Sequence, residues 1–141
     1  MTIIKEHKIN CTFLISLNNV KTRNSMVPGF HDELQNAIKK GEDDNSVSSI
    51  IIYGEGNFFC AGGDLNNLKK RRDMSIEDRL STLKVLNSTI SSIRNCKKPT
   101  IAAVEGGAAG AGVSLAMACD FLIMADNAFF SLAYVKIGLT P

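Results

Sequence analysis

The chain has 141 residues, of which 45% are apolar and 21% are charged, and its formal net charge is +2. This length and composition predict one domain with one hydrophobic core, and the small net charge argues against a nucleic-acid partner. Residues 1–7 carry charges where a signal peptide needs its apolar core, and no apolar run reaches membrane-spanning length, so we expect no membrane partner and a cytoplasmic or organelle-matrix location.

The cysteines and histidines do not form a metal-binding or disulfide pattern. The four cysteines, Cys11, Cys60, Cys96 and Cys119, show no Cys-x-x-Cys spacing, and the chain has only two histidines, His7 and His31. We therefore predict neither a bound metal nor a disulfide scaffold.

The chain begins with two strand-like segments, residues 2–8 and 10–17. The second places Cys11, Phe13, Ile15 and Leu17 on one face, which predicts a β-hairpin. Residues 18–24 have no apolar periodicity and are expected to form a loop, after which Asn24 or Ser25 is expected to cap a helix. That helix is predicted from the spacing of Phe30, Leu34, Ala37 and Ile38, and Gly41 is expected to end it.

A consecutive apolar run at residues 48–53 predicts a parallel strand that is covered on both faces. A turn follows, and then the stretch Phe-Phe-Cys-Ala-Gly-Gly-Asp-Leu at residues 58–65. Its two glycines allow a sharp turn with close approach of another molecule. The simpler interpretation is a glycine turn leading into a helix that Asp64 caps.

Residues 66–74 are polar and charged without an apolar face, and we expect a mobile surface segment that could act as a lid. Ser75 and Asp78 resemble a capping box, and the apolar spacing that follows predicts a long amphipathic helix ending before Pro99. The apolar positions of that helix are Ile76, Leu80, Leu83, Leu86, Ile90 and Ile93.

The central prediction concerns residues 106–114, Gly-Gly-Ala-Ala-Gly-Ala-Gly-Val-Ser, between an apolar strand at 100–104 and a buried helix at 115–119. A junction of strand, glycine loop and helix leaves backbone N–H groups without partners, and these can bind an anion or a polarised carbonyl oxygen. The lysine that a phosphate-binding P-loop requires is absent from this stretch. The spacing of its glycines fits the dinucleotide-binding fingerprint poorly. An oxyanion hole and plain close packing of small residues both stay open.

Residues 120–125 form another apolar run that predicts a strand, and residues 128–131 predict a short one. Strands and helices alternate along the chain. This order predicts an α/β fold with right-handed crossovers.

Three ordered motifs resemble those of the crotonase superfamily, the enoyl-CoA hydratase/isomerase fold. They are residues 17–26, similar to a first coenzyme-A loop, residues 59–65, similar to an acyl-thioester loop, and residues 102–112 with 118–120, similar to a second oxyanion segment. The resemblance implies an α/β, crotonase-like repeated ββα spiral core. It makes residues 1–141 one acyl-CoA-binding domain without the C-terminal helical region, and therefore a truncated one.

The resemblance also assigns a site. The backbone N–H groups of Gly63 and Ala111 would form the oxyanion hole for a thioester carbonyl. Coenzyme A would enter as part of the substrate, and no tightly bound cofactor or metal is expected. The implied coenzyme-A contacts are Arg23, Ser25, Ala61, Gly62, Asp64 and Leu65.

The sequence departs from the family pattern where hydratases carry two glutamates, because those places hold Ser114 and Tyr134. An unperturbed serine or tyrosine cannot replace a glutamate as general base near neutral pH. Residues 128–141 instead resemble the isomerase branch, in which the catalytic acid follows the proline that stands here at Pro141. The resemblance implies an enoyl-CoA isomerase that forms homotrimers or dimers of trimers when full length. The alternatives are a hydratase and a catalytically incompetent acyl-CoA-binding or assembly fragment.

Overall fold

A computed structural model describes residues 2–132, 134 and 138, without the side chain of Arg72. The segment that the sequence relates to isomerases lies largely outside the described residues from Ala133 onward. In chain order the elements are β1 (Ile4–Ile9), β2 (Thr12–Leu17), α1 (Phe30–Asp43), β3 (Ser49–Gly54), β4 (Phe58–Cys60), α2 (Leu65–Lys70), α3 (Ile76–Arg94), β5 (Thr100–Val104), β6 (Gly107–Ala109), α4 (Ala111–Ala118), β7 (Phe121–Met124) and β8 (Phe129–Ser131).

The larger sheet contains five strands in the order β1-β2-β3-β5-β7. The predicted hairpin is confirmed, since β1 and β2 pair antiparallel with Ile4 opposite Leu17. The other neighbours pair in parallel. The central strand β3 alternates buried Ile50 and Ile52 with partly exposed neighbours, so it is less completely covered than its apolar run predicts.

A second sheet of three parallel strands, β4-β6-β8, lies beside the first. Each of its strands follows a strand of the larger sheet along the chain. The prediction that residues 106–114 form a loop is therefore wrong in part, because Gly107–Ala109 is strand β6. A Cβ at Gly107 would lie 2.3 Å from the Phe58 ring and 2.7 Å from the Phe129 ring, so a glycine allows the two aromatic rings to close over the strand.

Helix α1 packs Phe30, Leu34 and Ile38 into the core, as the helical spacing predicts. The prediction that Asn24 or Ser25 caps this helix is wrong. The N-cap is Gly29, whose φ of 89° is in the left-handed region, and no side chain caps the helix. The Asn24 side chain is engaged in the preceding loop instead, as shown below.

Helix α2 and a 3₁₀ turn at Arg71–Asp73 occupy the segment that was expected to be a mobile surface segment, and its mobility stays a prediction. Helix α2 has no buried residue, as the lack of an apolar face predicts, and a cap defines where it begins. Asp64 accepts a hydrogen bond of 2.9 Å from the backbone N–H of Asn67. The predicted cap at Asp64 is thereby confirmed.

The predicted long helix is confirmed as α3, which has 19 residues. Ser75 Oγ accepts a 3.1 Å hydrogen bond from the Asp78 N–H, as expected for its N-cap. The apolar stripe is only partly buried, because Ile93 is 1% exposed but Leu80 is 52% exposed. The first half of α3 therefore extends past the core that its second half helps to form.

Strand β7 lies at the edge of the larger sheet, and all four of its residues are exposed. The apolar run predicts the strand correctly, although no other element in the described part of the chain covers it. None of the helices in the described residues is both long and apolar enough to span a bilayer.

Candidate functional site

Two loops that are about 40 residues apart in the sequence lie side by side at the end of β4. The Ala61 N–H donates to the Arg23 carbonyl at 2.9 Å, and the Met26 N–H donates to the Gly62 carbonyl at 2.8 Å. Backbone hydrogen bonds therefore join residues of the first motif to residues of the second. The side chains of the two loops stay available for other contacts.

Gly62 brings the second motif against the third. Its φ is +80°, and a Cβ at this position would lie 2.5 Å from the Ala109 carbonyl oxygen and 3.0 Å from the Ala111 nitrogen. Only glycine combines this conformation with such a close approach of two main chains. The loop that contains Gly62 and Gly63 and the start of α4 are thus in direct backbone contact.

Gly112 makes a similar contact one residue further along. A Cβ on Gly112 would lie 2.2 Å from the carbonyl oxygen of Cys60, at the end of β4. The first turn of α4 therefore packs directly against the main chain of β4. This contact fixes the direction in which the first N–H groups of the helix point.

The N–H groups of Gly63 and Ala111 share one property. Neither donates a backbone or side-chain hydrogen bond among the described residues. Ala111 is the first residue of α4, where an N–H group has no intrahelical acceptor and the helix dipole favours negative charge. Two free donors on rigid, touching segments can bind one oxygen that gains negative charge during a reaction.

Asn24 organises the first loop, and the sequence reasoning assigned it the wrong role. Its side-chain oxygen accepts from the Asn19 N–H at 2.8 Å. Its amide nitrogen donates to the carbonyls of Glu55 and Phe58 at 2.9 and 2.7 Å. The residue is buried with φ of 55°, a conformation that asparagine tolerates better than most residues. Its position inside the first motif was the only available signal.

We expect Asn24→Ala to destabilise the protein by about 2 to 4 kcal/mol, because three part-buried backbone groups lose their partner and alanine is strained at positive φ. Chemical denaturation measures the change. Asn10→Ala is the matched control, since Asn10 also has positive φ but lies in an exposed turn. An equal loss for the two variants would show that backbone strain, and not the hydrogen bonds, dominates.

The residues predicted to contact coenzyme A lie in three environments. Arg23 is exposed, and its guanidinium carbon lies 5.5 Å from the centre of the Phe58 ring. Ser25 is 5% exposed, and its hydroxyl has no hydrogen-bond partner among the described residues. Leu65 is exposed, whereas Asp64 serves as the cap of α2. Ala61 and Gly62 contribute the backbone contacts described above.

The two positions that the resemblance relates to the hydratase glutamates are Ser114 and Tyr134. Ser114 is exposed on α4. The Tyr134 ring lies against Gly110, with its nearest carbon 3.8 Å from where a Cβ of Gly110 would be. Tyr134 is therefore adjacent to the residue that precedes Ala111.

A cleft of about 330 Å³ begins at Gly63 and extends between α1, α2 and α3. Its wall includes His31 and Asp32 from α1, and Lys70 and Arg71 from the end of α2 and the 3₁₀ turn. The remaining lining residues are Met26, Val27, Pro28, Gly29, Asp64, Asn67, Leu68, Met74, Thr82 and Val85. The cleft thus combines apolar surface with a few polar groups, as small-molecule sites commonly do.

A buried hydrogen-bond network fixes the orientation of His31 in this wall. The hydroxyl of Thr89, which is fully buried, donates to the Val85 carbonyl at 3.0 Å. Its oxygen lies 3.0 Å from the Gln35 amide nitrogen and 3.0 Å from His31 Nδ1. When the hydroxyl proton is donated to the Val85 carbonyl, both nitrogens donate to the Thr89 oxygen. In that arrangement His31 carries its proton at Nδ1, and Nε2 is a hydrogen-bond acceptor when the ring is neutral.

Partial burial lowers the pKa of His31 from 6.5, Asp32 opposes this shift, and the positive charge of Arg71 adds to it. Because the folded-state pKa is below the unfolded value, the unfolded chain binds a proton first as the pH falls. We therefore expect His31 to lower the free energy of unfolding as the pH decreases below about 6.5, and to have no such effect above that pH. Melting temperatures of the protein and of His31→Asn, compared between pH 7.5 and 5.5, measure this. A difference between the two proteins that does not change with pH would contradict the expectation.

Other chemistries are not supported by the described residues. Burial raises the pKa of Cys60 to about 12, so its thiol stays protonated and is a poor nucleophile. Among residues 2–132, 134 and 138, no cluster of three histidine, cysteine or acidic side chains is arranged to hold a metal ion.

Residues 8–141 match the family model described as enoyl-CoA hydratase/isomerase. The chain is 37% identical over 137 residues to the mitochondrial enoyl-CoA hydratase of Pongo abelii, which covers 97% of the chain and 46% of that protein. It is 33% identical over 142 residues to the 1,2-epoxyphenylacetyl-CoA isomerase of Escherichia coli, covering 100% of the chain and 54% of that protein.

Among solved structures, the crystal structure of an enoyl-CoA hydratase from Polaromonas sp. JS666 superposes with a TM-score of 0.93 at 41% identity. The match covers 98% of this chain and 54% of the other. The chain spans about half the length of the curated relatives it matches. Both the sequence and the fold lead to one conclusion: the chain belongs to the enoyl-CoA hydratase/isomerase family of the crotonase superfamily.

Proposed function

We propose that the protein binds an acyl-coenzyme A thioester and stabilises its enolate by two backbone donors, the N–H groups of Gly63 and Ala111, in an isomerase-type reaction. The observation that carries the proposal is the backbone contact between the two glycine loops, at which these two N–H groups have no acceptor among the described residues. Membership in a family named for enoyl-CoA substrates supports it.

Stabilisation of the thioester oxygen does not require a side-chain donor, because backbone N–H groups can supply the hydrogen bonds. A base removes a proton from C2 of a 3-enoyl thioester, and the electron pair moves onto the thioester oxygen as a dienolate. Return of a proton to C4 gives the conjugated 2-enoyl thioester, with no net change in atoms. Two fixed donors can stabilise the intermediate oxygen by several kcal/mol. We propose that the proton-transferring group is neither Ser114 nor Tyr134, since a hydroxyl is a weak base near neutral pH.

The choice of isomerase over hydratase depends on those two positions. Adding water to a 2-enoyl thioester requires a base to activate the water and an acid to protonate C2. Ser114 is exposed on α4, and Tyr134 presents a ring next to Gly110, so neither offers a carboxylate. The named relatives include both hydratases and isomerases.

Incubation of the protein with 3-enoyl-CoA and 2-enoyl-CoA tests the proposal. We expect conversion of the 3-enoyl thioester to the 2-enoyl thioester, detected by the absorbance of the conjugated product, and little hydration. Efficient hydration of 2-enoyl-CoA without isomerisation would reverse the assignment. Binding of both thioesters without turnover would favour the alternative of an acyl-CoA-binding or assembly module.

A thermal melt series separates the acyl-CoA proposal from a dinucleotide-binding function. We expect coenzyme A to raise the melting temperature with the concentration dependence of a ligand that binds only the folded state. NAD should leave the melting temperature unchanged. The reverse pattern, stabilisation by NAD and not by coenzyme A, would overturn the proposal.

A further inference from the structure

The cleft that begins at Gly63 has a polar wall whose chemistry restricts what can fill it. Resting on the function proposed above, we propose that this cleft accepts the acyl group and selects acyl chains that carry a hydroxyl. The hydroxyl would donate to His31 Nε2 and accept from the Arg71 guanidinium.

The position of the cleft makes it the space next to the thioester. Gly63 contributes to the cleft and is also one of the two proposed carbonyl donors. An oxygen bound at the Gly63 N–H places the neighbouring acyl carbons within a few ångströms of that residue. Apolar contacts from Met26, Leu68 and Val85 suit the methylene part of an acyl chain.

His31 supplies an oriented acceptor in this wall. Its Nδ1 is bound to the buried Thr89 hydroxyl, which Gln35 also contacts, so the imidazole is held on one side. Nε2 has no partner among the described residues. Burial and the nearby Arg71 charge favour the neutral ring, and with its proton on Nδ1 the ring accepts a hydrogen bond at Nε2 and cannot donate one there.

Arg71 supplies the complementary donor. Its side chain is partly buried, and it forms no ion pair or hydrogen bond with any residue in the described ranges. It is close enough to His31 to lower the pKa of the imidazole. A guanidinium that faces a cleft with unused N–H groups is a strong hydrogen-bond donor to a ligand oxygen.

One acceptor and one donor in the wall of the same cleft fit a group that can both donate and accept. A hydroxyl meets both requirements, whereas an alkyl chain would leave two polar groups unpaired. A carboxylate has no proton to offer the neutral Nε2. The charged side chains of the wall are Lys70 and Arg71 against Asp32 and Asp64, so their formal charges cancel and do not favour an anion.

Calorimetric titration of the protein near pH 7.5 with saturated acyl-CoAs tests the inference without turnover. The probes are ω-hydroxyacyl-CoAs from 4-hydroxybutanoyl to 8-hydroxyoctanoyl, each paired with its unsubstituted counterpart, and adipoyl-CoA as the carboxylated probe. At the chain length that fits best, we expect the hydroxylated thioester to bind about tenfold more tightly than its alkyl counterpart.

His31→Asn should remove this preference, because asparagine can keep the hydrogen bond to Thr89 but does not reach the position of Nε2. His31→Gln should restore part of it, since the glutamine oxygen reaches further. Arg71→Met keeps the apolar stem of the side chain and should reduce the preference as well. For each variant the preference is the ratio of the affinities of the hydroxylated and the alkyl thioester measured on that same variant, and melting curves verify folding.

Three results would count against the inference in distinguishable ways. Equal or weaker binding of the hydroxylated thioester at every length overturns the selection but leaves the proposed function intact. The tightest binding by adipoyl-CoA would identify the wall as an anion site and also overturn it. Failure of every thioester and of coenzyme A to bind would overturn the proposed function itself.

Discussion

Ala111→Val is expected to lower turnover by about a hundredfold or more, a loss similar to the removal of one oxyanion-hole donor. Ala111 is the first residue of α4, and its nitrogen lies next to Gly62. A β-branched side chain there would occupy the space beside the bound carbonyl and stiffen the start of the helix. Initial-rate kinetics with a 3-enoyl-CoA measure the effect, and a melting curve should show a folded variant.

Two further variants serve as controls for Ala111→Val. Ala111→Gly keeps the N–H group and adds no atoms, so its effect on turnover should be small. Ser114→Ala should also change turnover little, because Ser114 is exposed, whereas the contact of α4 with β4 is made at Gly112. Normal kinetics for Ala111→Val would show that the carbonyl binds elsewhere, and a large loss for Ser114→Ala would make serine chemistry a serious alternative.

Gly62→Ala is expected to lower the free energy of unfolding by about 3 kcal/mol or more. The residue has φ of +80°, and a Cβ would lie 2.5 Å from the Ala109 carbonyl oxygen. Left-handed strain costs about 1 to 2 kcal/mol, and the backbone of the neighbouring loop cannot move without disturbing the start of α4. Urea denaturation monitored by circular dichroism measures the change.

Gly63→Ala is the matched control for stability. A Cβ at Gly63 would lie 3.4 Å from the side chain of Leu68, an ordinary van der Waals distance, and its φ is not in the left-handed range. We expect a destabilisation of less than about 1 kcal/mol. If both variants lose the same stability, the contact between Gly62 and the third motif is not the constraint that the geometry indicates.

The sequence predicted best the elements whose apolar residues repeat over several turns or strand positions. The spacing of Phe30, Leu34 and Ile38 predicted α1, and the alternation of Phe13, Ile15 and Leu17 predicted β2 within its hairpin. Burial of one face is what makes these patterns informative. The fold class followed from their order, and the crotonase resemblance is confirmed by the family and structure comparisons.

The apolar pattern is least informative where another force replaces periodicity. Helix α2 has no buried residue, and its cap at Asp64 defines where it begins. Strand β6 contains Gly107, which the sequence pattern assigned to a loop. In the structure the rings of Phe58 and Phe129 pack over this residue. Neither a cap without an apolar face nor a ring packed over a glycine has a periodic signature.

The contacts of the candidate site also could not be predicted from local sequence patterns. The resemblance predicted Gly63 and Ala111 as carbonyl donors, and this role stays a prediction. The contact between Gly62 and the start of α4 joins residues far apart in the sequence, and only the fold reveals it. His31 and Arg71 are 40 positions apart and have no motif in common, so no local pattern could have placed them in one cleft.

The glycine contacts between the end of β4 and the start of α4 also bear on how such a protein can evolve. A carbonyl site built from main chain requires small residues at Gly62 and Gly112 but no particular functional side chain. The side chains of the cleft come from α1, α2, α3 and the segments next to these helices. After gene duplication, substitutions at positions such as His31 can therefore change the preferred acyl group while the geometry at the carbonyl is inherited unaltered.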